Sequence, residues 1–239
     1  MKTEAIVASA GSGRRLKGKV SKPYLEIAGK PILIHTLQAL SRSPKIQKII
    51  VVANRRHLPR CARLVARYKV GKVKALVAGG RRRLDSVYNG LKALDRDTRI
   101  VLIHDGVRPF VAPDIIGRTV ACAEKFGACV VAVPVKATIK RVKGKLTVEK
   151  TIDRRDLWEV QTPQVFRKEI IVRAYKKFKD MEATDDAMLV ERSRTPVKIV
   201  PGSYTNIKIT TPEDLVIAEA IIKAKSVKRR AKKWGDHVN

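Results

Sequence analysis

Aromatic residues make up only 5% of this 239-residue chain, and they are not interleaved with basic residues in the manner that stacks bases. That pattern argues against a dedicated single-strand nucleic-acid binder. No apolar run approaches the roughly 20 residues of a membrane span. The three cysteines, Cys61, Cys122 and Cys129, are odd in number and lack Cys-x-x-Cys spacing. Such usage argues against a disulfide framework or a zinc site, so buried free thiols are expected. The four histidines are scattered, and no convincing nucleophile–base pair is present. Acid is scarce as well: 22 Asp and Glu stand against 52 Lys and Arg, a formal charge of +30, with no acidic residue between Glu26 and Asp85. A field of that sign attracts nucleotides, phosphorylated metabolites or nucleic acid without choosing among them.

The N-terminal MKTEAIVASAG turns glycine-rich too soon for a secretory signal, so a cytoplasmic location is expected. The hydrophobic fraction of 44% and the length suit one large α/β domain, placed at 1–225, followed by a basic tail over 226–239. Seven basic residues and no acid lie between Lys223 and Trp234. The plain reading of that run is a solvated helix end; it also leaves a nucleic-acid partner open.

The most informative stretch is residues 6–24. Ile6-Val7-Ala8 reads as the end of a buried strand, and Ser9, Ala10, Gly11, Ser12 and Gly13 follow, then Arg14, Arg15, Lys17, Lys19 and Lys22. Small residues let backbone N–H groups approach an anion, and clustered cations neutralise phosphate charge. A P-loop is excluded because Val20 follows Gly18-Lys19 where a magnesium-binding hydroxyl is required, and a dinucleotide fingerprint fails at Leu16. On local chemistry the loop reads as a polyphosphate site of another kind, with a plain glycine-rich turn as the alternative.

Downstream, apolar runs at 49–53, 75–78, 100–103, 129–133 and 197–200 predict strands. Helical patterns at 32–40, 58–68, 85–94, 114–125, 169–178, 185–191 and from Pro212 alternate with them. Thr205 to Lys208 reads as a short extended piece. The alternation predicts a Rossmann-like α/β fold, a mainly parallel sheet with helices on both faces. Residues 135–153 break the rhythm with alternating apolar and charged residues around Lys143-Gly144-Lys145. They predict a β-hairpin arm projecting from the domain, and a lone ribbon needs a partner subunit to pack against. In a parallel sheet the loops leaving the strand carboxyl ends line one crevice. Here those loops carry Ser9 to Lys22, Gly79 to Ser86, Asp105 to Arg108 and Thr205 to Lys208. Such an inventory suits phosphoryl or nucleotidyl transfer, which needs positioning and positive charge and no covalent nucleophile.

Ser9-Ala10-Gly11-x-Gly13-x-Arg15 with Lys22-Pro23-Tyr24 resembles the signature of sugar- and polyol-phosphate nucleotidylyltransferases. Later motifs narrow the resemblance: Gly79-Gly80-x-x-Arg83-x-x-Ser86-Val87, His104-Asp105-Gly106-Val107-Arg108-Pro109, Asp153-Arg154-x-x-Leu157-Trp158, Gln161-Thr162-Pro163-Gln164-x-Phe166, Thr184-Asp185-Asp186 and Asn206-Ile207-Lys208-x-Thr210. Together, over about residues 3–223, they resemble the 2-C-methyl-D-erythritol 4-phosphate cytidylyltransferase family of non-mevalonate isoprenoid synthesis. The resemblance implies CMP transfer from CTP to the polyol phosphate, with Arg15, Lys22 and Lys208 as catalytic cations. It implies CTP contacts from Ser9, Ala10, Gly11, Ser12, Gly13, Gly79, Gly80, Ser86, Asp105 and Gly106. It assigns the polyol phosphate to Asp105, Arg108, Thr162, Thr184 and Lys208, with Thr138 and Arg154 of the arm reaching into a homodimer partner's site. Mg²⁺ is implied as cofactor, held mainly by the CTP phosphates, with Asp105 available to it.

Three positions depart from the pattern: Ser9 replaces a usual alanine, Arg81 a common acid, and Asp186 a frequent glutamate. A ribitol-phosphate cytidylyltransferase shares most of these residues; a non-catalytic nucleic-acid-binding descendant and a GTP- or UTP-using sugar nucleotidylyltransferase stand further off.

Overall fold

The computed structural model describes residues 1–11, 21–178 and 180–235. In chain order, β1 (Thr3–Ser9) precedes a 3-10 turn at Lys22–Tyr24, a ribbon of β2 (Glu26–Ile27) and β3 (Lys30–Pro31), and α1 (Ile32–Ser41). There follow β4 (Lys48–Ala53), a 3-10 turn at Arg55–His57, α2 (Leu58–Arg67), β5 (Val73–Ala78), α3 (Arg83–Lys92), β6 (Ile100–Asp105), α4 (Pro113–Phe126) and β7 (Ala128–Pro134). The hairpin of β8 (Ile139–Lys143) and β9 (Thr147–Ile152) comes next, then β10 (Trp158–Arg167), α5 (Lys168–Lys177), α6 (Ala187–Arg192), β11 (Lys198–Pro201) and α7 (Pro212–Gly235).

The main sheet has the order β11-β7-β10-β6-β1-β4-β5. Its pairings are parallel except for β10, which runs antiparallel to both β6 and β7. Because successive strand side chains point to opposite faces, the continuous apolar runs divide between two cores. Val7, Ile49, Val51 and Leu102 face α1, α2 and α4, whereas Ile6, Ile50, Val52 and Ile103 face α3, α5 and α6. The predicted mainly parallel sheet with helices on both faces is thus present. A third, smaller cluster joins Ile27, Ile32, Phe110 and Ile209 to Ala218 of α7.

Three expectations need correction. The sequence pattern predicts no strand at β10, yet it lies inside the sheet between β7 and β6. Pro163 within it argues against a central strand, because proline cannot donate to a ladder; the register with β7 shifts between Val160 and Gln164, and the irregularity accommodates it. Thr205 to Lys208 is a turn and irregular chain, not an extended strand. Finally, Cys122 on α4 and Cys129 on β7 are bonded, with Cα atoms 6.2 Å apart. Gly127 reverses the chain with φ +92° and brings residues seven apart face to face, a juxtaposition that spacing rules do not register. Cys61 is the buried free thiol, and burial pushes its pKa up to about 11.

The arm is largely exposed, and Val142, Leu146 and Val148 on it present apolar surface to solvent. Helix α7 continues unbroken across 225–226, where the basic tail was expected to begin.

Candidate active site

Loops at the carboxyl ends of β1, β4, β5 and β6 meet because those strands are neighbours in the sheet. At the ends of β1 and β6, the Gly106 N–H donates to the Ala8 carbonyl (2.9 Å), and Ser9 Oγ donates to the Val52 carbonyl (3.0 Å). A Cβ on Gly106 would lie 2.7 Å from Ser9 Cβ, and one on Gly79 would lie 2.3 Å from Ala10 Cβ. Both approaches are closer than any side chain tolerates, so glycine is required where these loops touch. Ser86 Oγ accepts from the Gly80 N–H (3.0 Å) and donates to the Arg82 carbonyl (3.0 Å), which ties the double-glycine turn to α3. The structure therefore brings Ser9, Ala10, Gly79, Gly80, Ser86 and Gly106 together. Arg15, Ser12 and Gly13 lie outside the described residues.

The electrostatic centre of the crevice is Asp105. Its carboxylate is 2.9 Å from Lys208 Nζ, 3.5 Å from Arg108 Nε and 4.0 Å from an Arg83 guanidinium nitrogen. Burial alone would raise the Asp105 pKa, but the three cations outweigh it and hold the group down at about 2. The Asp105 N–H donates to Thr162 Oγ1 (3.1 Å), and Arg108 donates to the Asn206 carbonyl (2.8 Å). Asn206 Nδ2 donates in turn to Gln161 Oε1 (3.0 Å) and the Thr162 carbonyl (2.9 Å). Lys22 reaches the same region from the first loop, donating to the Thr210 carbonyl at 2.5 Å. Hence Lys22, Asp105, Arg108, Thr162 and Lys208 converge.

Thr184 is exposed and bonded only as far as Met188 Sδ, 3.9 Å away, among the contacts found for its hydroxyl. Thr138 and Arg154 are exposed on and beside the arm, where Arg154 donates to the Lys136 carbonyl. Within one chain these three do not join the cluster.

His104 is fully buried, and its Nε2 lies 3.0 Å from the Arg108 carbonyl. Burial pushes its pKa down to about 4, so near neutrality it is an uncharged N–H donor to that carbonyl and not a poised base.

Residues beyond the expected site complete the frame. Arg83 is gripped by Asp186 (2.6 Å), which also accepts from Tyr175. Gln164 Oε1 accepts from the Asp186 and Ala187 N–H groups (3.1 and 3.0 Å). Arg83, Gln164 and Asp186 belong to the sequence motifs and Tyr175 does not, and only the fold shows that Arg83 spans two carboxylates.

Among the described residues no group of three His, Cys, Asp or Glu side chains is arranged to hold a metal ion. Asp105 offers one carboxylate already facing three cations, which suits contact with a metal–nucleotide complex and not a protein cage for a bare ion.

Glycine-bound loops and a cation-ringed carboxylate at the carboxyl edge of a mainly parallel sheet are the equipment for handling a nucleotide and a second phosphate. By class, this is an α/β nucleotidyltransferase. The profile of the family described as IspD, 2-C-methyl-D-erythritol 4-phosphate cytidylyltransferase, matches residues 3–224, and the chain belongs to that family. Similar to it is the 2-C-methyl-D-erythritol 4-phosphate cytidylyltransferase of Geobacillus kaustophilus (strain HTA426), 48% identical over 93% of this chain and 97% of that protein. The protein of the same name from Alkaliphilus metalliredigens (strain QYMF) is 46% identical over 92% of this chain and 93% of its own. Among solved structures, the 4-diphosphocytidyl-2C-methyl-D-erythritol synthase of Anaerococcus prevotii DSM 20548 superposes with TM-score 0.82 at 35% identity, covering 93% of this chain and 96% of that one. The 2-C-methyl-D-erythritol 4-phosphate cytidylyltransferase of Thermus thermophilus gives 0.77 at 30% identity, over 93% and 100%.

Proposed function

We propose that this enzyme transfers CMP from CTP to 2-C-methyl-D-erythritol 4-phosphate, releasing pyrophosphate and supplying isoprenoid precursor synthesis in the cytoplasm. The observation that carries the reading is the Lys208–Asp105–Arg108 constellation beside the glycine turns, with Lys22 entering from the first loop.

An oxygen of the polyol phosphate attacks the α-phosphorus of CTP in line, and the bond from that phosphorus to the β-phosphate bridging oxygen breaks. Charge accumulates on the non-bridging oxygens, where Arg15, Lys22 and Lys208 neutralise it; preorganised cations gain most where water is excluded. The small residues Ser9 to Gly13 line the triphosphate, while Gly79, Gly80 and Ser86 face cytosine and ribose, and Asp105 and Gly106 close that side. Arg108, Thr162 and Thr184 orient the acceptor phosphate, and Asp105 its hydroxyls. Mg²⁺ would be held mainly by the CTP phosphates, with Asp105 as the carboxylate available to it, and would supply charge neutralisation along the phosphates.

The arm pairs two copies. Its exposed Val142, Leu146 and Val148 offer the apolar surface for a homodimer, which delivers Thr138 and Arg154 to the neighbouring crevice.

Pyrophosphate release measured with CTP, Mg²⁺ and a panel of methylerythritol phosphate, ribitol phosphate and hexose 1-phosphates tests the proposal. Turnover restricted to methylerythritol phosphate is expected; turnover with ribitol phosphate instead would overturn the substrate, and silence with every acceptor would overturn the reaction.

A further inference from the structure

We propose that a basic groove at the opposite end of the sheet from the crevice binds single-stranded nucleic acid, with Tyr68 as a base platform between Arg42, Lys69 and Lys72. The groove has a volume of about 510 Å³ and is lined by Gln38, Ser41, Val70 and Gly71 besides those four residues. Its place follows from topology. Helix α1 starts beside the crevice, where Thr36 Oγ1 donates to the Gly106 carbonyl (3.1 Å), and ends at Ser41 in the groove. Lys72 sits at the amino ends of β4 and β5, its carbonyl accepting from the Ile49 N–H (2.7 Å). Strands of six residues separate the two ends by about 20 Å.

Positive charge collects here without a carboxylate partner, although Lys72 Nζ donates to the Ser43 carbonyl (2.7 Å). Residues 27–84 contain no acid, and among the described residues none of Arg42, Lys69, Arg63 or Arg67 lies in an ion pair. Exposed Arg60, Arg63 and Arg67 follow one stripe of α2 and lead along the helix to the groove. Lys30 Nζ and the Arg67 guanidinium flank the Tyr68 ring at 5.7 and 5.5 Å from its centroid. Lys69 occupies the left-handed region at φ +49°, a conformation uncommon for a non-glycine residue.

The shape selects the partner. A small anion would fill the groove and leave the arginine stripe unused, whereas a polyphosphate chain uses both. No large exposed apolar residue lies between 27 and 84, so nothing on this face would enter a bilayer. An aromatic ring among cations is the arrangement on which unpaired bases stack, and the bases of a duplex are not available to it. Tyr68 stands between Arg67 and Lys69 in the sequence, but it meets Arg42 and Lys72 only in the folded chain.

Fluorescence anisotropy with labelled 20-nucleotide single strands of RNA and DNA, and with the corresponding duplex, tests the inference across a salt series. Six phosphate contacts, three from the groove and three from the arginine stripe, predict a slope of log affinity against log salt of about −4, and Arg42→Glu with Lys69→Glu should reduce its size by about 1.4. The same double variant should bind at least about tenfold more weakly. Tyr68→Ala should lose roughly fivefold or more, the size of one stacked base, and Tyr68→Phe should restore it. CMP transfer, read separately, should be unchanged in all of them. Comparable binding of RNA and DNA strands, or preference for either, supports the groove. Affinity unaltered by the charge reversals, tighter binding of the duplex, binding lost only on truncation after Lys223, or dissociation constants weaker than roughly 10⁻⁴ M would each overturn it.

Discussion

Lys208 Nζ lies 2.9 Å from Asp105 Oδ2, joining a residue at the end of a central strand to one that arrives a hundred positions later. The pair places a lysine at the crevice with its ammonium held and aimed, which is the preorganisation that transition-state stabilisation requires. Lys208→Ala should therefore lower turnover by about 10²–10³-fold, the usual loss when one such donor is removed. Far-UV circular dichroism and the sedimentation coefficient should stay as in the parent protein. A rate within fivefold of the parent would remove Lys208 from the chemistry and leave it as the counter-charge of Asp105.

The pH dependence of stability should report His104. Folding lowers its pKa from 6.5 to about 4, burial being the cause, so between those values the unfolded chain carries a proton that the folded one does not. Acid then favours unfolding: the contribution is fully present above pH 6.5 and is lost as pH falls to 4, on the order of 3 kcal/mol in all. His104→Gln, which keeps an N–H for the Arg108 carbonyl and does not titrate, should flatten that segment of the curve in urea unfolding series. An unchanged slope would assign the acid sensitivity to other groups.

If the arm completes a neighbour's crevice, Arg154→Ala should raise KM for the polyol phosphate well beyond any change in KM for CTP. Val142→Asp with Leu146→Asp should shift the sedimentation coefficient toward a monomer and depress turnover with it. Full activity in a variant shown to be monomeric would separate the arm from catalysis.

The bond between Cys122 and Cys129 closes a short loop, and the chain-entropy estimate for such a loop is about 2–3 kcal/mol. Oxidised protein, denatured and titrated with a thiol reagent, should show one thiol, Cys61, and three after reduction. Cys122→Ser, at the half-buried partner, should lower the stability of the oxidised protein by about that amount and leave the reduced protein's nearly unchanged. Three thiols without reduction would show the pair to be open in solution.

Local patterns determined much of this protein. Apolar runs bounded by polar turns marked β1, β4, β6 and β7, helical spacing marked α1 to α5, and the alternation foretold a mainly parallel sheet covered on both sides. The glycine turns at Gly79-Gly80 and Gly106 were legible because the small residue stands in the text wherever two loops must touch. The lysines, arginines and Asp105 that follow the strands pointed to phosphate chemistry for the same reason, since strand ends in such a sheet face one crevice.

Other features were decided only by the tertiary structure. Strand β10 carries Pro163 and polar residues, and it takes an interior place only through antiparallel pairing with both β6 and β7. Arg83 bridges Asp105 and Asp186, Asn206 ties its turn to Gln161 and Thr162, and Cys122 meets Cys129 across the Gly127 reversal. Arg42 and Tyr68 share a groove although 26 residues of sequence separate them. Propensity and spacing act over a few residues, whereas these contacts arise from the packing of elements distant in the chain, and that packing exists only once both cores have closed.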